Sequence, residues 1–330
     1  MKKCGSYLLI GLFLIISCKK EQKEEANSAF AKAETETTTE TSVMANTDFK
    51  FSLAQWSLHT PFQDGTLDPM DFAQIAKTEG YTGLEYVTQL YPQLKDKSNY
   101  REKVMNLAGE LKRRSDAAGM ENVLLMIDND GELADPDAKK RAEAIETHKL
   151  WMDAAALMGA KAIRANLFGE KDPEKWNEYS VGALKELASY GATKNVSILI
   201  ENHGGWSSDA KKLIAVMEAV NMPNCGTLPD FGNFCVEREG GARWEAPCIN
   251  EYDTYQGITE LMPYAQGVSA KSYAFDETGE ETKLDYGRLI NIVKKAGYKG
   301  YVGIEYEGNL EDPKEGMELT KSLLKKHINK

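Results

Sequence analysis

The chain has 330 residues, 42% of them hydrophobic, and its 51 Asp and Glu outnumber 40 Lys and Arg, leaving a net charge of −11. That length is enough for one large domain with its own core, and the acidic balance lacks the basic footprint by which proteins hold nucleic acid. Five cysteines without a CxxC pair exclude a zinc ribbon and a dense disulfide framework.

In chain order, the opening MKKCGSYLLIGLFLIISCKK sets two lysines before an apolar run, Tyr7 to Ile16, that falls short of the roughly 20 apolar residues a membrane span needs. This is the layout of an export signal. Its Ile15-Ile16-Ser17-Cys18 ending resembles a bacterial lipobox, which implies a signal peptide over residues 1–17 and diacylation of Cys18. A plain signal peptide with a chance cysteine is the alternative. Residues 18–47 are rich in Glu, Thr, Lys and Ala with little to bury, the composition of a disordered tether. Losing Lys2 and Lys3 with the leader takes the net charge from −11 to −13. The expected location is lipid-anchored, facing the periplasm or at the outer membrane of a Gram-negative bacterium. Of Cys225, Cys235 and Cys248, the best-placed pair for oxidation in an exported chain is Cys235 with Cys248 across a loop.

Residues 48–330 alternate short apolar runs with longer amphipathic ones. Eight strand candidates follow one another: FSLAQWSLH from 51, GLEYV from 83, NVLLMID from 122, AIRANLFG from 162, VSILIENH from 196, CGTLPDFGNF from 225, GVSAKSYAF from 267 and YVGIEYEG from 301. Between them, DPMDFAQIAKTEG, REKVMNLAGELKRRSDAAG and KRAEAIETHKLWMDAAALMG carry apolar residues at helical intervals with a glycine near the end. Parallel strands joined by helices predict a single (β/α)8 TIM barrel. A doubly wound open sheet is disfavoured because no GxGxxG turn follows the first strand.

In such a barrel the working groups come from the carboxyl ends of the strands. Those ends supply Trp56 and His59, Glu85, Arg164 with Asn166, Glu201 with His203, Asp230 with Asn233, Lys271, and Glu305 with Glu307. His148 and His327 lie in helical patterns and read as surface or packing residues. Glu201, Asp230 and Glu305 end three different strands, and two carboxylates about 4 Å apart repel by ~4 kcal/mol at an effective dielectric of 20. If they share a pocket, a divalent cation offsets that repulsion best, with Lys271 as the metal-free counter-charge.

The motifs GYTGLEYV, ENHGG, PDFGN and GYKGYVGIEYEG, in that order over residues 49–328, resemble the xylose isomerase-like TIM barrels. That superfamily includes sugar epimerases and isomerases, inosose dehydratases and endonuclease IV. In its epimerases a Glu after the fifth strand, an Asp after the sixth, a His in the seventh and a Glu in the eighth hold one divalent ion. The resemblance thus implies that Glu201, Asp230 and Glu305 hold Mn, Mg, Co or Zn, with Glu201 and Glu305 also moving protons. The seventh-strand His is missing: Ser269-Ala270-Lys271-Ser272 stands there, so His203 is the candidate replacement ligand and Lys271 a candidate catalytic group. Asn233 stands where many epimerases place a substrate-contacting His. Substrate contacts are expected from His59, Trp56, Glu85, Arg164, Asn166, His203, Asn233 and Trp206, the tryptophans by stacking on a sugar ring. A structural ion pair between Glu85 and Arg164 is an equal account of those two.

The chemistry implied is proton transfer beside a carbonyl, giving isomerisation or epimerisation. An exported protein meets few phosphorylated sugars, so a free sugar or keto-sugar is the expected substrate. Expulsion of a β-substituent from the same enediolate gives the alternative, a lyase or hydratase acting on a 3-keto-sugar or keto-glycoside. A non-catalytic sugar-binding lipoprotein is the third reading. The expected partners are a small-molecule sugar and, through the lipid, a membrane; nucleic acid is not expected, and an oligomer is left open.

Overall fold

The computed structural model describes residues 49–329. The leader, Cys18 and the tether lie outside the described residues. Ten strands occur among them: β1 Lys50–Ala54, β2 Gly83–Val87, β3 Glu121–Met126, β4 Ala162–Ala165, β5 Ser197–Glu201, β6 Cys225–Leu228, β7 Cys235–Arg238, β8 Cys248–Glu251, β9 Val268–Ser272 and β10 Tyr301–Tyr306. Eight of them form one sheet in the order β6-β5-β4-β3-β2-β1-β10-β9, with every pairing parallel. Two parallel bridges close the gap beside the end strands, Thr227 of β6 with Ala265 before β9 and Asp230 after β6 with Ser269 of β9, so the sheet curls into the predicted barrel.

That seam is irregular for a reason visible in the sequence. Pro229 has no N–H to give to a ladder, so β6 stops at Leu228. Backbone bonds bracket the break instead: Ser269 N–H donates to Pro229 O at 2.9 Å and Phe231 N–H donates to Ser269 O at 3.1 Å. The consequence is positional, because Asp230 is held directly beside Ser269.

The helices begin and end as their sequences direct. Asp137, Asp172, Asp209, Asp253, Asp285 and Asp312 each accept a first-turn N–H as N-cap. Gly119 and Gly159, the expected terminal glycines, take left-handed conformations with φ of 68° and 73° just past helices Tyr100–Ala118 and Ala138–Met158.

The first strand is shorter than its sequence pattern suggests. It ends at Ala54, and Gln55–Leu58 and His59–Gln63 are helical. Ser57 explains the turn: its hydroxyl donates to Ile304 O at 3.1 Å and accepts from Tyr306 N–H at 3.0 Å, replacing strand pairing with side-chain bonds.

Inside the barrel, small residues make room for charged ones. A Cβ on Gly303 would lie 2.5 Å from a Glu85 carboxylate oxygen, so the glycine is what admits that side chain. No pattern in the sequence announced the antiparallel ribbon β7–β8, yet its bridge is the expected one, Cys235 joined to Cys248 with Cα atoms 5.8 Å apart. Cys225 remains a free thiol.

The bridge ties both strands of a ribbon whose outer residues are largely exposed. Replacing both cysteines by serine should accelerate proteolysis within residues 239–247 at least tenfold while the barrel's far-ultraviolet circular dichroism stays unchanged. Equal cleavage rates would show that the ribbon holds itself without the bond.

Candidate active site

A cavity of about 960 Å³ opens at the carboxyl ends of the barrel strands, lined by Trp56, His59, Arg164, Asn166, His203, Asn233, Lys271, Glu305 and Glu307 among others. Glu305 also belongs to a buried triad: Glu201, Asp230 and Glu305 each offer an oxygen within 4.8 Å of the other two. The structure therefore brings together the three carboxylates singled out in the sequence.

Two cations sit among them. Lys271 Nζ lies 2.9 Å from Glu305, 3.2 Å from Glu307 and 3.9 Å from Asp230. Arg164 Nη1 pairs with Asp128 at 2.9 Å, and its Nε lies 2.9 Å from Glu201, close enough for charge attraction though off line for a hydrogen bond. Arg164 thus serves Asp128 and Glu201, and an ion pair with Glu85 is not made. Asn233 Nδ2 donates to Glu201 Oε1 at 2.9 Å, fixing that carboxylate from its other side.

Ser269 occupies the place of the absent imidazole. Its hydroxyl lies 2.6 Å from Asp230 Oδ2 and 3.1 Å from Glu305 Oε2. One hydroxyl hydrogen cannot serve both carboxylates, so without a cation a proton on Asp230 completes the set. Burial drives the Asp230 pKa well above the usual carboxylate range, against the pull of Lys271. Burial likewise raises Glu201 to about 7 despite Arg164. Lys271 shows the opposite balance: burial works against its charge, but Asp230, Glu305 and Glu307 hold its pKa well above the ordinary value. Burial works to raise Asp128, but the Arg164 charge and the hydrogen bonds from Arg164 and Asn166 hold it below the usual carboxylate range.

His203 is not part of the carboxylate group. Asn166 donates its amide hydrogen to Asp128 at 2.7 Å, so its oxygen accepts from His203 Nδ1 at 2.8 Å. That assigns the proton to Nδ1 and leaves Nε2 a lone pair. Burial and then Arg164 push the ring's pKa down to about 3, so the imidazole is neutral at physiological pH. His203 thus stands on the cavity wall outside the carboxylate triad, a neutral ring with Nε2 as an acceptor.

The other expected contacts divide. Trp56 stacks on His59 with ring centres 4.4 Å apart and donates its indole N–H to Glu307 at 2.7 Å, so both rings edge the cavity. Glu307 is thereby bound to Trp56 and Lys271, leaving Glu305 as the carboxylate of the triad. Glu85 does not reach the cavity. It is buried deeper in the barrel, where Ser52 donates to it at 2.5 Å and burial raises its pKa to about 7. Trp206 lines a neighbouring cavity instead, its N–H given to Lys171 O at 3.0 Å. His148 is buried and borders the main cavity, with Nδ1 on Ala144 O at 2.7 Å.

Sequence reasoning missed the aromatic roof. Trp244 and Phe168 line the cavity, Trp244 with its ring centre 4.9 Å from His203 and 5.9 Å from Phe168. Phe168 lay in a strand candidate; Trp244 hangs from the ribbon loop, for which the Cys235 and Cys248 pair was the sole signal.

The donor set fits a hard divalent ion: three converging buried carboxylates supply anionic oxygen ligands, and their charge exceeds that of the nearby cations. Glu201, Asp230 and Glu305 would hold it.

Eight parallel strands, a carboxyl-end cavity and an acidic triad define a TIM barrel with a candidate metal centre. The sequence profile of the xylose isomerase-like TIM barrel family matches residues 72–323, and the chain belongs to that family. Over 48 residues it is 42% identical to the 3'-dehydrocarminate deglycosidase alpha subunit of Microbacterium sp, a segment spanning 14% of this chain and 14% of that protein. The crystal structure of 3-keto-D-glucoside 4-epimerase from E. coli superposes with a TM-score of 0.59 at 14% identity, covering 78% of this chain and 94% of that one. D-allulose 3-epimerase from Methylomonas sp. gives 0.62 at 12% identity, covering 84% and 98%. At those identities the two superpositions speak to the fold.

The raised Glu201 pKa has a consequence for stability. The native state keeps a proton that the unfolded chain loses near pH 4.5, so this contribution is present below that pH and is lost as pH rises through about 7. In chelator, the stability of the wild type relative to Glu201→Gln should fall by on the order of 3 kcal/mol between pH 4.5 and 7.5, read from urea denaturation. The difference isolates Glu201 from His203, whose lowered pKa gives the reverse slope below pH 6.5. A difference independent of pH would contradict the raised pKa.

Proposed function

We propose that this protein is a sugar isomerase or epimerase that moves a proton at the carbon beside the carbonyl of a free sugar or keto-sugar. The observation carrying this reading is the buried triad of Glu201, Asp230 and Glu305 with Lys271 among them, whose Glu305 and Lys271 line a chamber large enough for a sugar. A divalent ion bound by the triad supplies Lewis-acid polarisation of the carbonyl. The rest of the chemistry falls to side chains. Glu201 serves as general base and acid at the carbon beside the carbonyl, and in the ion-free site burial raises its carboxyl to about 7. Asn233 holds one of its oxygens in place. Glu305 comes from β10, separated from β5 around the barrel by β6 and β9, so the two glutamates approach a bound sugar from different sides. Removal by one and return by the other would invert a stereocentre. Lys271 places a fixed positive charge beside Glu305, favouring negative charge that develops on substrate oxygen. Neutral His203, with Nε2 as acceptor, receives a sugar hydroxyl, and Trp56, Trp244 and Phe168 offer apolar faces to a ring.

A second reading, β-elimination from a 3-keto-glycoside, gains from two observations. The cavity, at about 960 Å³, lies at the upper end of the range for small-molecule sites and leaves room beyond one sugar ring. The short segment shared with the Microbacterium protein leads to one named as a deglycosidase subunit. Both readings need the same first proton abstraction.

Export is part of the proposal. The leader over residues 1–17, lipidation at Cys18 and a periplasm-facing or outer-membrane anchor agree with the Cys235–Cys248 disulfide, since such bonds persist in oxidising compartments.

Deuterium uptake from heavy water into 3-keto-glucose and its methyl glycoside, followed by mass spectrometry with Mn present, tests the chemistry. Glu305→Gln should lower the exchange rate at least 10³-fold with an unchanged melting temperature. Retained exchange would remove Glu305 from the reaction, and no exchange by the wild type would favour a sugar-binding protein without turnover.

A further inference from the structure

Beside the main cavity lies a second one of about 380 Å³, tucked between the loop after β4, the loop after β5 and the disulfide-bridged ribbon. The two share a wall: Phe168, Gly204, Cys235, Arg238 and Arg243 line both. Gly204, with a φ of 86° and no side chain, lets the Trp244 ring pack against that wall: a Cβ there would lie 3.6 Å from the indole. The second cavity has apolar sides in Leu167, Trp206 and Val236. Polar groups meet them at the edges. The Arg243 guanidinium lies over Phe168, 4.2 Å from the ring centre, and is tied to Glu132, while Arg238 donates to Ala246 O at 2.8 Å. Trp206 is braced by its N–H bond to Lys171 O and by Lys212, whose ammonium lies 5.0 Å from the ring centre.

Flat apolar walls with guanidinium and amide groups at the rim suit a ring that stacks and carries oxygen substituents on its edge. Of the catalytic groups Glu305 and Lys271 line the first cavity, and neither they nor Glu201 and Asp230 border the second. Whatever sits there is therefore bound without being reacted upon.

We propose that the second cavity is a subsite for the non-reacting ring of a glycoside, an aryl aglycone or a second sugar, so that the substrate is a glycoside rather than a monosaccharide. This rests on the reading of the main cavity as a sugar site. Binding to a remote ring would contribute energy for positioning the reacting sugar, as remote contacts do in enzymes generally.

Calorimetric titration of the full chain with methyl β-glucoside, phenyl β-glucoside and cellobiose, and with the matching galactosides and xylosides, tests it without requiring turnover. The phenyl glycoside or the disaccharide should bind at least tenfold more tightly than the methyl glycoside; which of the two leads identifies an aryl ring or a sugar as the occupant. Val236→Trp, which fills the second cavity, should erase that preference and leave the methyl glycoside's affinity unchanged, and Trp206→Ala should reduce the preference if the first variant fails to fold. Equal affinities in the wild type, or a preference that survives both substitutions, overturn the subsite alone. Absence of binding by every glycoside overturns the sugar-site reading and this inference with it.

Discussion

The structure depends on a charge imbalance that the barrel encloses rather than exposes. Glu201, Asp230, Glu305, Glu307 and Asp128 face two cations, Lys271 and Arg164, at the top of the strands. Carrying that much ionised carboxylate out of water costs several kcal/mol for each group left without a partner. The side chains offset part of it by sharing: each cation touches more than one acid, and Asn166, Asn233, Ser269 and Trp56 donate into what remains. The rest must be met by protons or by a divalent ion. Raised pKa values at Glu201 and Asp230 are the first solution, and the converging oxygens provide for the second.

The fold makes this arrangement feasible at the barrel seam. Because Pro229 interrupts β6, the barrel closes by two bridges, one to Ala265 just before β9 and one that sets Asp230 against Ser269 in β9. An imidazole at position 269 would compete for the space now held by a hydroxyl that links Asp230 with Glu305. Serine therefore changes the character of the site: it ties two carboxylates together, and Lys271 two residues on reaches the same group from the same strand face.

Much of this was legible in the sequence because its causes are local. Eight strands could be placed from runs such as SILIE and VGIEY, which are buried on both sides, and the strand-end acids followed from chain position. Glu201, Asp230 and Glu305 met as expected because every parallel strand delivers its carboxyl end to the same side. What escaped depended on long-range contacts. Glu85 ends no strand at the cavity, since Gly303 from the far end of the chain opens a deeper place for it. His203 was drawn to Asn166, and Trp206 to Lys171, by bonds that no spacing encodes. The ribbon that brings Trp244 over the site has no helical or alternating pattern to betray it, and Ser57 turned an apparent strand into a helix by a bond to β10.

The central claim is that the enclosed acids are completed by a divalent ion. It is tested most directly by plasma mass spectrometry of the wild-type chain and Glu201→Gln, both purified without chelator. The account predicts close to one Mn, Co, Zn or Mg per wild-type chain and little in the variant. No metal in the wild type, or equal metal in both, would contradict it and leave Lys271 and bound protons as the whole of the charge compensation.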